Sequence, residues 1–595
     1  MPRRLLIALV LMLSMPATAH AAWFPAAPID GPNADVLTLG NVDIARDGAG
    51  AVAYLRRDGG VPQAFIARIF GGVWRSPERV DGGLGAASEV KVAVGDGNRI
   101  AVAWISDGTV YANVAPGGPT APSGFTGPVA IGGPGARSLD IDLGINDAAY
   151  AVWEQGGDVR AARLQDATWT AVAAPLDIDP ALEAGTGLLR PKVAVSAEGY
   201  AVATWGDRPG DGTTRIWGRR ITGLNLSAFP QVIAAGAPSD SPDIDIEDDG
   251  SFAWVVFRQD LQGTSRTFGR RLVGSLFEAP EAIDAGQSSD EPRVDMSTRG
   301  VGYGVAQMSG GPQVVASQLI DDHFQPAGRF DSADSADRTA PEVAATDSSD
   351  VAIAWRSNGT TKARFKDSEA AFGPEFTLSQ PEFGAVVDPG VSVSGDRVGD
   401  MAVAMIQANA DGLRTLSVGH YDRQPPAPAT PVYRFRRETQ PQLRWNPGLE
   451  LWGTPVHRVY IDGVLVGQTT GDTLTPPNPL TPGPHTWQVE TVDHAGQTSR
   501  SRARTLRIDS LAPKIRLAIR GSRKAGRNLL IRVRATDTGG AGIDHITVDY
   551  GDRSKKSHST STRHRYRRGS YTLKVAAVDK AGNVTRRQVR LRIKA

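Results

Sequence analysis

Apolar positions between residues 41 and 405 recur in one repeated order. A short strand with a β-branched residue is followed by a turn, then by a nearly unbroken apolar strand that ends on a bulky position. That position falls at Tyr54, Trp104, Trp153, Trp205, Val256, Ala306, Trp355 and Met405, at intervals of 49 to 52 residues. In the first strand, Val42, Val92, Ile141, Val193, Ile244, Val294, Val343 and Val391 hold one equivalent place. Two residues on come Ile44, Val94, Leu143, Val195, Ile246, Met296, Ala345 and Val393. This alternation with period two predicts a strand with one buried face. The second strand, as in Ile100-Ala-Val-Ala-Trp104, does not alternate, which predicts burial on both faces. A third strand carries a small residue at Ala67, Ala112, Ala161, Gly218, Gly269 and Ala316. A fourth opens on an aromatic such as Trp74, Phe229 or Phe324, often with a nearby proline, which suits an outer edge.

A unit of about 50 residues is the length of four short strands and their turns, one blade of a propeller. The expected fold is therefore all-β: an eight-bladed β-propeller over residues 23–422, seven blades being the alternative count, followed by two β-sandwich domains. Trp23 to Asp30 matches Trp74 to Asp81 at an offset of 51, a fourth strand with no blade before it. The eighth repeat runs out after its third strand, near Asp422, so the first strand is expected to complete the last blade. The pattern resembles exported bacterial β-propellers with sialidase-like or kelch-like blades. The Ser-x-Asp-x-Gly-x-x-Trp turn of the former and the Gly-Gly signature of the latter are absent.

Residues 1–21 read as a signal peptide: Arg3 and Arg4, an apolar run from Leu5 to Met15, and the exit Ala19-His20-Ala21. The run is shorter than the roughly 20 residues that a membrane span needs. The expected location is secreted or associated with the cell surface. Cysteine is absent, which excludes disulfide staples, thiol catalysis and Cys-type metal sites.

Residues 423–431 form a Pro-rich linker. Beyond it, Asp462-Gly463 between two alternating runs predicts a type I′ hairpin, and residues 432–508 resemble an immunoglobulin or fibronectin-like sandwich. Residues 510–595 resemble a PKD-like module through Asp549-Tyr550-Gly551-Asp552, Tyr566 and Tyr571. This last module holds 22 Lys and Arg against 5 Asp and Glu, a balance of +17; the rest of the chain carries 43 against 59, or −16. Such asymmetry points to partners. Arg520, Arg523, Lys524, Arg527, Arg563, Arg565, Arg567 and Arg568 are the candidate contacts to an anionic polymer. With few aromatics interleaved, sequence-specific nucleic-acid recognition is not expected.

In the propeller, the residue before the β-branched position reads Lys91, Asp140, Lys192, Asp243, Arg293 and Glu342 in successive repeats. Alternating signs fit either a ligand-binding rim or ion pairs between blades. Asp43, Asp142, Asp245 and Asp295 add a second acidic set, and the run Asp243, Asp245, Glu247, Asp249 raises Ca²⁺ as a possible ion. No other cofactor is expected. Arg219 and Arg220, repeated 51 residues on as Arg270 and Arg271, are candidate forks for a carboxylate or phosphate. Trp104, Trp153, Trp205 and Trp355 sit among Ala and Val and read as core. No nucleophile elbow, zinc-protease or phosphate-loop motif occurs. The favoured function is an exported non-catalytic binding or scaffolding protein whose partner is an anionic polymer, a glycan or another extracellular protein. The rival is a carbohydrate-active enzyme, a glycoside hydrolase or lyase with an acidic pair and sandwich modules that bind substrate.

Overall fold

The computed structural model describes residues 22–595 except 71–72, 119–122, 179–182, 248–249, 275, 309–312, 333–337, 369, 424–427, 433, 449–453 and 494–495. The expected signal peptide, part of the Pro-rich linker, and Asp249 of the acidic run lie outside the described residues. The described chain is almost entirely β, with two single-turn 3₁₀ segments, Gly187–Leu189 and Pro381–Phe383. It divides into one compact unit that ends at residue 424 and another that begins at residue 425.

Among the described residues, the first unit holds eight antiparallel sheets. Their innermost strands are Val36–Ile44, Ala87–Gly95, Ala136–Leu143, Lys192–Val195, Ser239–Ile246, Ser289–Met296, Arg338–Ala345 and Ala385–Gly395. Each packs beside the next in chain order, and the eighth packs beside the first, so the sheets form a closed ring, a β-propeller. Closure uses the N-terminal strand. Ala22–Asn33 pairs antiparallel with Arg414–Asp422 and so becomes the outermost strand of the eighth sheet. The closing strand also ties to the first sheet, because Asp30 Oδ2 accepts from Tyr54 Oη at 2.6 Å and from Arg56 at 3.0 Å.

The second strand of each sheet is sandwiched between neighbouring sheets, which is why it lacks polar alternation. Trp104, Trp153, Trp205 and Trp355 are at most 2% exposed and belong to the core, where truncation to Ala would cost about 3–5 kcal/mol each. Two register assignments differ from the sequence expectation. In the second sheet Val92 pairs with Val102, and Trp104 follows two residues on. In the fifth, Ile244 pairs with Val255, so Phe257 rather than Val256 takes the bulky position; the connection there is one residue longer. In the eighth, Val393 pairs with Val403. Val393 and Gly395 therefore replace Val391 and Val393, displaced by the irregular pairing between Val386 and Val391.

In the second unit, Val456–Ile461 and Val464–Thr469 form the expected hairpin, with Asp462 and Gly463 at φ +51° and +80°. These strands help enclose a core around Trp445, Val459, Trp487 and Leu506. Thr430–Pro431, assigned to the linker by composition, pairs with Leu443–Asn446. Further on, two three-stranded sheets share one core that includes Leu529, Ile531, Val548, Leu573 and Leu591. One sheet is Lys514–Arg520, Asn528–Thr536 and Ser561–Arg565; the other is Ile543–Asp549, Gly569–Asp579 and Val584–Ile593.

Candidate functional site

The innermost strand of a propeller sheet presents one edge to the ring axis, and its N–H groups need acceptors. Side chains from the preceding sheet supply them here. Asn41 Oδ1 accepts from Val92 N at 2.9 Å, and Asp43 Oδ2 from Val94 N at 2.7 Å. Asp140 accepts from Val193 N at 3.2 Å and Asp142 from Val195 N at 2.7 Å. Asp243 accepts from Val294 N at 3.2 Å, Asp245 from Met296 N at 2.7 Å, and Asp295 from Ala345 N at 2.8 Å. Ser392 and Ser394 do the same for Val42 and Ile44 at 3.0 Å, across the junction of the eighth and first sheets. The second oxygens of Asp142, Asp245 and Asp295 accept from Leu143, Ile246 and Met296 N, and that of Asp43 from Ser394 Oγ.

Asp43, Asp142 and Asp245 border an axial cavity of about 200 Å³, together with Asp96, Asp347 and Arg46. Burial lifts Asp142 and Asp295 to about 7, and raises Asp43. Asp245 is raised well above the usual carboxylate range by burial and then by the charge of Asp295. The alternating charges form a second layer. Lys192 Nζ lies 3.9 Å from Asp140 and 3.6 Å from Asp243, and Arg293 pairs with Glu342 at 3.1 Å. Lys91 donates to Gly40 O instead, and burial, then Lys192, lowers it to about 8.

The candidate arginines divide by role. Arg219 donates to the carbonyls of Ser227 and Leu176, and Arg270 to those of Glu278, Phe277 and Ile233. Each thus spends its fork on backbone of its own and the preceding sheet. Arg364 repeats the device in the seventh sheet, with Gly373 and Phe330. Arg271 pairs with Asp322 at 2.8 Å, and Arg220 lies 4.8 Å over the Tyr200 ring. Of the four candidate forks, Arg271 thus meets a carboxylate of the protein itself, whereas carbonyls serve Arg219 and Arg270. Carbonyl acceptors carry no mark in sequence.

In the basic module, the outward face of the sheet built on Lys514–Arg520 displays Lys514, Arg516, Arg520, Arg532, Arg534, Arg563 and Arg565. No outward position on these three strands is acidic, and among the described residues none of the seven is ion-paired. Arg516 stands directly opposite Arg534 across the strands. Arg520, Arg563 and Arg565 are sequence candidates found on this face; Arg523, Lys524, Arg527, Arg567 and Arg568 are exposed in the adjoining loops. Lys514, Arg516, Arg532 and Arg534 were missed by sequence reasoning, although the period-two alternation Lys514-Ile-Arg-Leu-Ala-Ile-Arg520 marks three outward cations.

One further group could hold a cation. Ligand oxygens of Asp509, Asp537 and Asp579 lie within 4.8 Å of one another. Their oxygens already accept from Leu511, Ala541, Gly539, Gly542 and Ala581 N, which makes the cluster a turn-fastening device in its own right.

No family model matches the chain, and no curated protein matches it. Among solved structures, the chain is similar to the Dos1 propeller, at 9% identity and TM-score 0.44, over 67% of this chain and 95% of that one. A protein of unknown function from Dyadobacter fermentans is 11% identical with TM-score 0.35, over 68% and 100%. A structure from a study of two prolyl endopeptidases is 14% identical with TM-score 0.38, over 71% and 58%. At these values the likenesses carry no weight for function.

Proposed function

We propose that the protein is an exported, non-catalytic binding or scaffolding protein: an eight-bladed propeller joined to two β-sandwiches, the second of which holds it on an anionic polymer. The observation that carries this reading is the face of seven basic side chains, six of them arginine, without an acidic neighbour on the same strands. Arginine forks suit phosphate or carboxylate groups, and a flat sheet face without aromatics suits recognition by charge alone. The like-charge pair Arg516 and Arg534 costs stability in the free protein, and a polyanion would relieve that cost. In the propeller, both oxygens of Asp43, Asp142, Asp245 and Asp295 are engaged: one holds a backbone N–H of the neighbouring inner strand, and the other accepts from the next N–H of its own strand or, for Asp43, from Ser394 Oγ. That engagement favours a fastening role over general acid–base work on a glycoside.

The test is binding of the full chain to immobilised polyphosphate, alginate and double-stranded DNA across a salt series. Binding should be firm at about 20 mM salt and largely gone by about 300 mM, through counterion release and screening. The variant Arg516→Ser/Arg532→Ser/Arg534→Ser should lower the slope of log affinity against log salt by about 2–3. Absence of binding at low salt, or a slope unchanged in the variant, overturns the assignment. Release of reducing ends from glycan substrates would restore the enzymatic rival.

A further inference from the structure

The propeller contains a second, differently built cavity. It measures about 230 Å³ and lies where the connection from the third to the fourth sheet meets the fourth. Asp177 comes from that connection, Ala184 from the short strand Glu183–Ala184 paired with Tyr200–Arg208, Trp205 and Asp207 from Tyr200–Arg208 itself, and Arg215 and Trp217 from the strand Arg215–Thr222. Trp205 is directly opposite Trp217 and Asp207 directly opposite Arg215, so two cross-strand pairs on one face supply half of the wall.

Two features distinguish this wall from ordinary core. The indole N–H groups of Trp205 and Trp217 are both buried, and neither has an acceptor. A buried tryptophan N–H normally finds one. In the third sheet the equivalent Trp153 donates to Gln155 Oε1 at 3.1 Å. The fourth sheet has Asp207 in the place of Gln155. Trp23, Trp104, Trp169, Trp254 and Trp445 also lack acceptors, and Trp205 itself belongs to an apolar core cluster against which Trp217 packs; what sets this pair apart is that both line the cavity. Trp205 and Trp217 share a cavity with two carboxylates that are 8% and 4% exposed, Asp177 and Asp207.

The chemistry of such a wall is restrictive. An anionic ligand meets two carboxylates, while Arg215 is already paired with Asp211 at 2.8 Å. A quaternary ammonium could use indole faces and carboxylates, yet it offers no acceptor to the N–H groups. A hydroxyl does both: it accepts from an indole N–H and donates to a carboxylate, while the C–H face of a ring packs on the aromatic surface. The space equals roughly seven or eight waters, the scale of one sugar ring. We propose that this cavity is a binding subsite for a single pyranose unit of a glycan, with Trp217 and Asp207 as its polar contacts.

The experiment is saturation-transfer NMR on the full chain with methyl pyranosides of glucose, galactose, mannose, fucose and the two N-acetylhexosamines, and with tetramethylammonium chloride, which has no hydroxyl, as a separate arm. At least one glycoside should show transfer, with a Kd in the millimolar range expected of a small ligand. Trp217→Phe retains an aromatic ring and removes the N–H. It should raise that Kd at least about five-fold with an unchanged melting temperature. If Trp217→Phe fails to fold, Asp207→Asn must show the same loss. No transfer from any glycoside, transfer from tetramethylammonium alone, or a Kd unchanged in the folded variants overturns the proposal.

Discussion

At the residue scale, the propeller's charged axis is explained by backbone chemistry. Each inner strand leaves N–H groups facing its neighbour, and an orphaned buried N–H costs about 1–3 kcal/mol. Asp142 meets that demand for Val195, as Asp43 does for Val94. Asp142→Ala should therefore destabilise the propeller by about 1–3 kcal/mol in a denaturation experiment. Asp142→Asn removes the buried charge and keeps one acceptor oxygen, but sets its NH2 against the N–H that the other oxygen held, so it should lose less stability than the Ala variant at pH 8, where the wild-type carboxyl, at about 7, is ionised. If the Asn variant loses as much as the Ala variant, the negative charge itself is required and the fastening role is incomplete. The sequence made the acidic set at Asp43, Asp142, Asp245 and Asp295 visible, and also the alternating layer from Lys91 to Glu342. It could not reveal that carboxylates serve backbone N–H groups, because such a partner has no residue type. The same blindness applies to Arg219 and Arg270, whose acceptors are carbonyls, and to Trp217, whose role depends on a cavity.

At the element scale, the repeat was legible because blade strands differ in burial and so in pattern. The errors fell where length varies locally. One additional residue before the second strand of the fifth sheet moved the bulky position to Phe257, and irregular pairing shifted the eighth inner strand. The closing strand was readable as a fourth strand without a blade, and its removal is the direct test of closure. A chain lacking residues 22–33 would expose the edge of Arg414–Asp422 and strip Tyr54 and Arg56 of Asp30. Its propeller melting transition should fall by many degrees or disappear; an unchanged transition would show that the ring is stable without the closing strand. In the basic module, Arg516→Glu converts the like-charge pair with Arg534 into an opposite-charge pair. The expected gain is about 0.2–1 kcal/mol of stability, read by chemical denaturation, together with weaker polyanion binding. A stability loss would mean that Arg516 already has a favourable contact on the sheet face.

At the scale of the whole molecule, the two charge populations are used differently. The cations of the last module stand on an exposed sheet face, whereas several propeller carboxyls are held inside, and this difference makes propeller stability respond to pH. In the unfolded chain an aspartate titrates near 3.9. In the fold, burial lifts Asp142 and Asp295 to about 7, and burial followed by the charge of Asp400 lifts Asp396 to about 8. A raised value means that the folded state prefers the protonated form. The contribution is fully present below about pH 4 and is lost as pH climbs through about 7 and 8. Asp284 opposes the trend: burial acts to raise it, but hydrogen bonds from Arg266 and Thr267 N hold it lowered. Its contribution exists above about pH 4 and disappears in acid. The raised groups outnumber it, so the propeller transition, followed by tryptophan fluorescence, should move to lower temperature between about pH 5 and 8. Asp142→Asn/Asp295→Asn/Asp396→Asn should flatten that slope, because the amides do not titrate. A transition that instead moves upward with pH would mean that the carboxylates are stabilised as anions. Calcium and EDTA arms at pH 8 then separate the causes: an upward slope that EDTA abolishes and calcium restores would assign the axial carboxylates to a bound cation, and one indifferent to both would assign them to ion pairs within the ring.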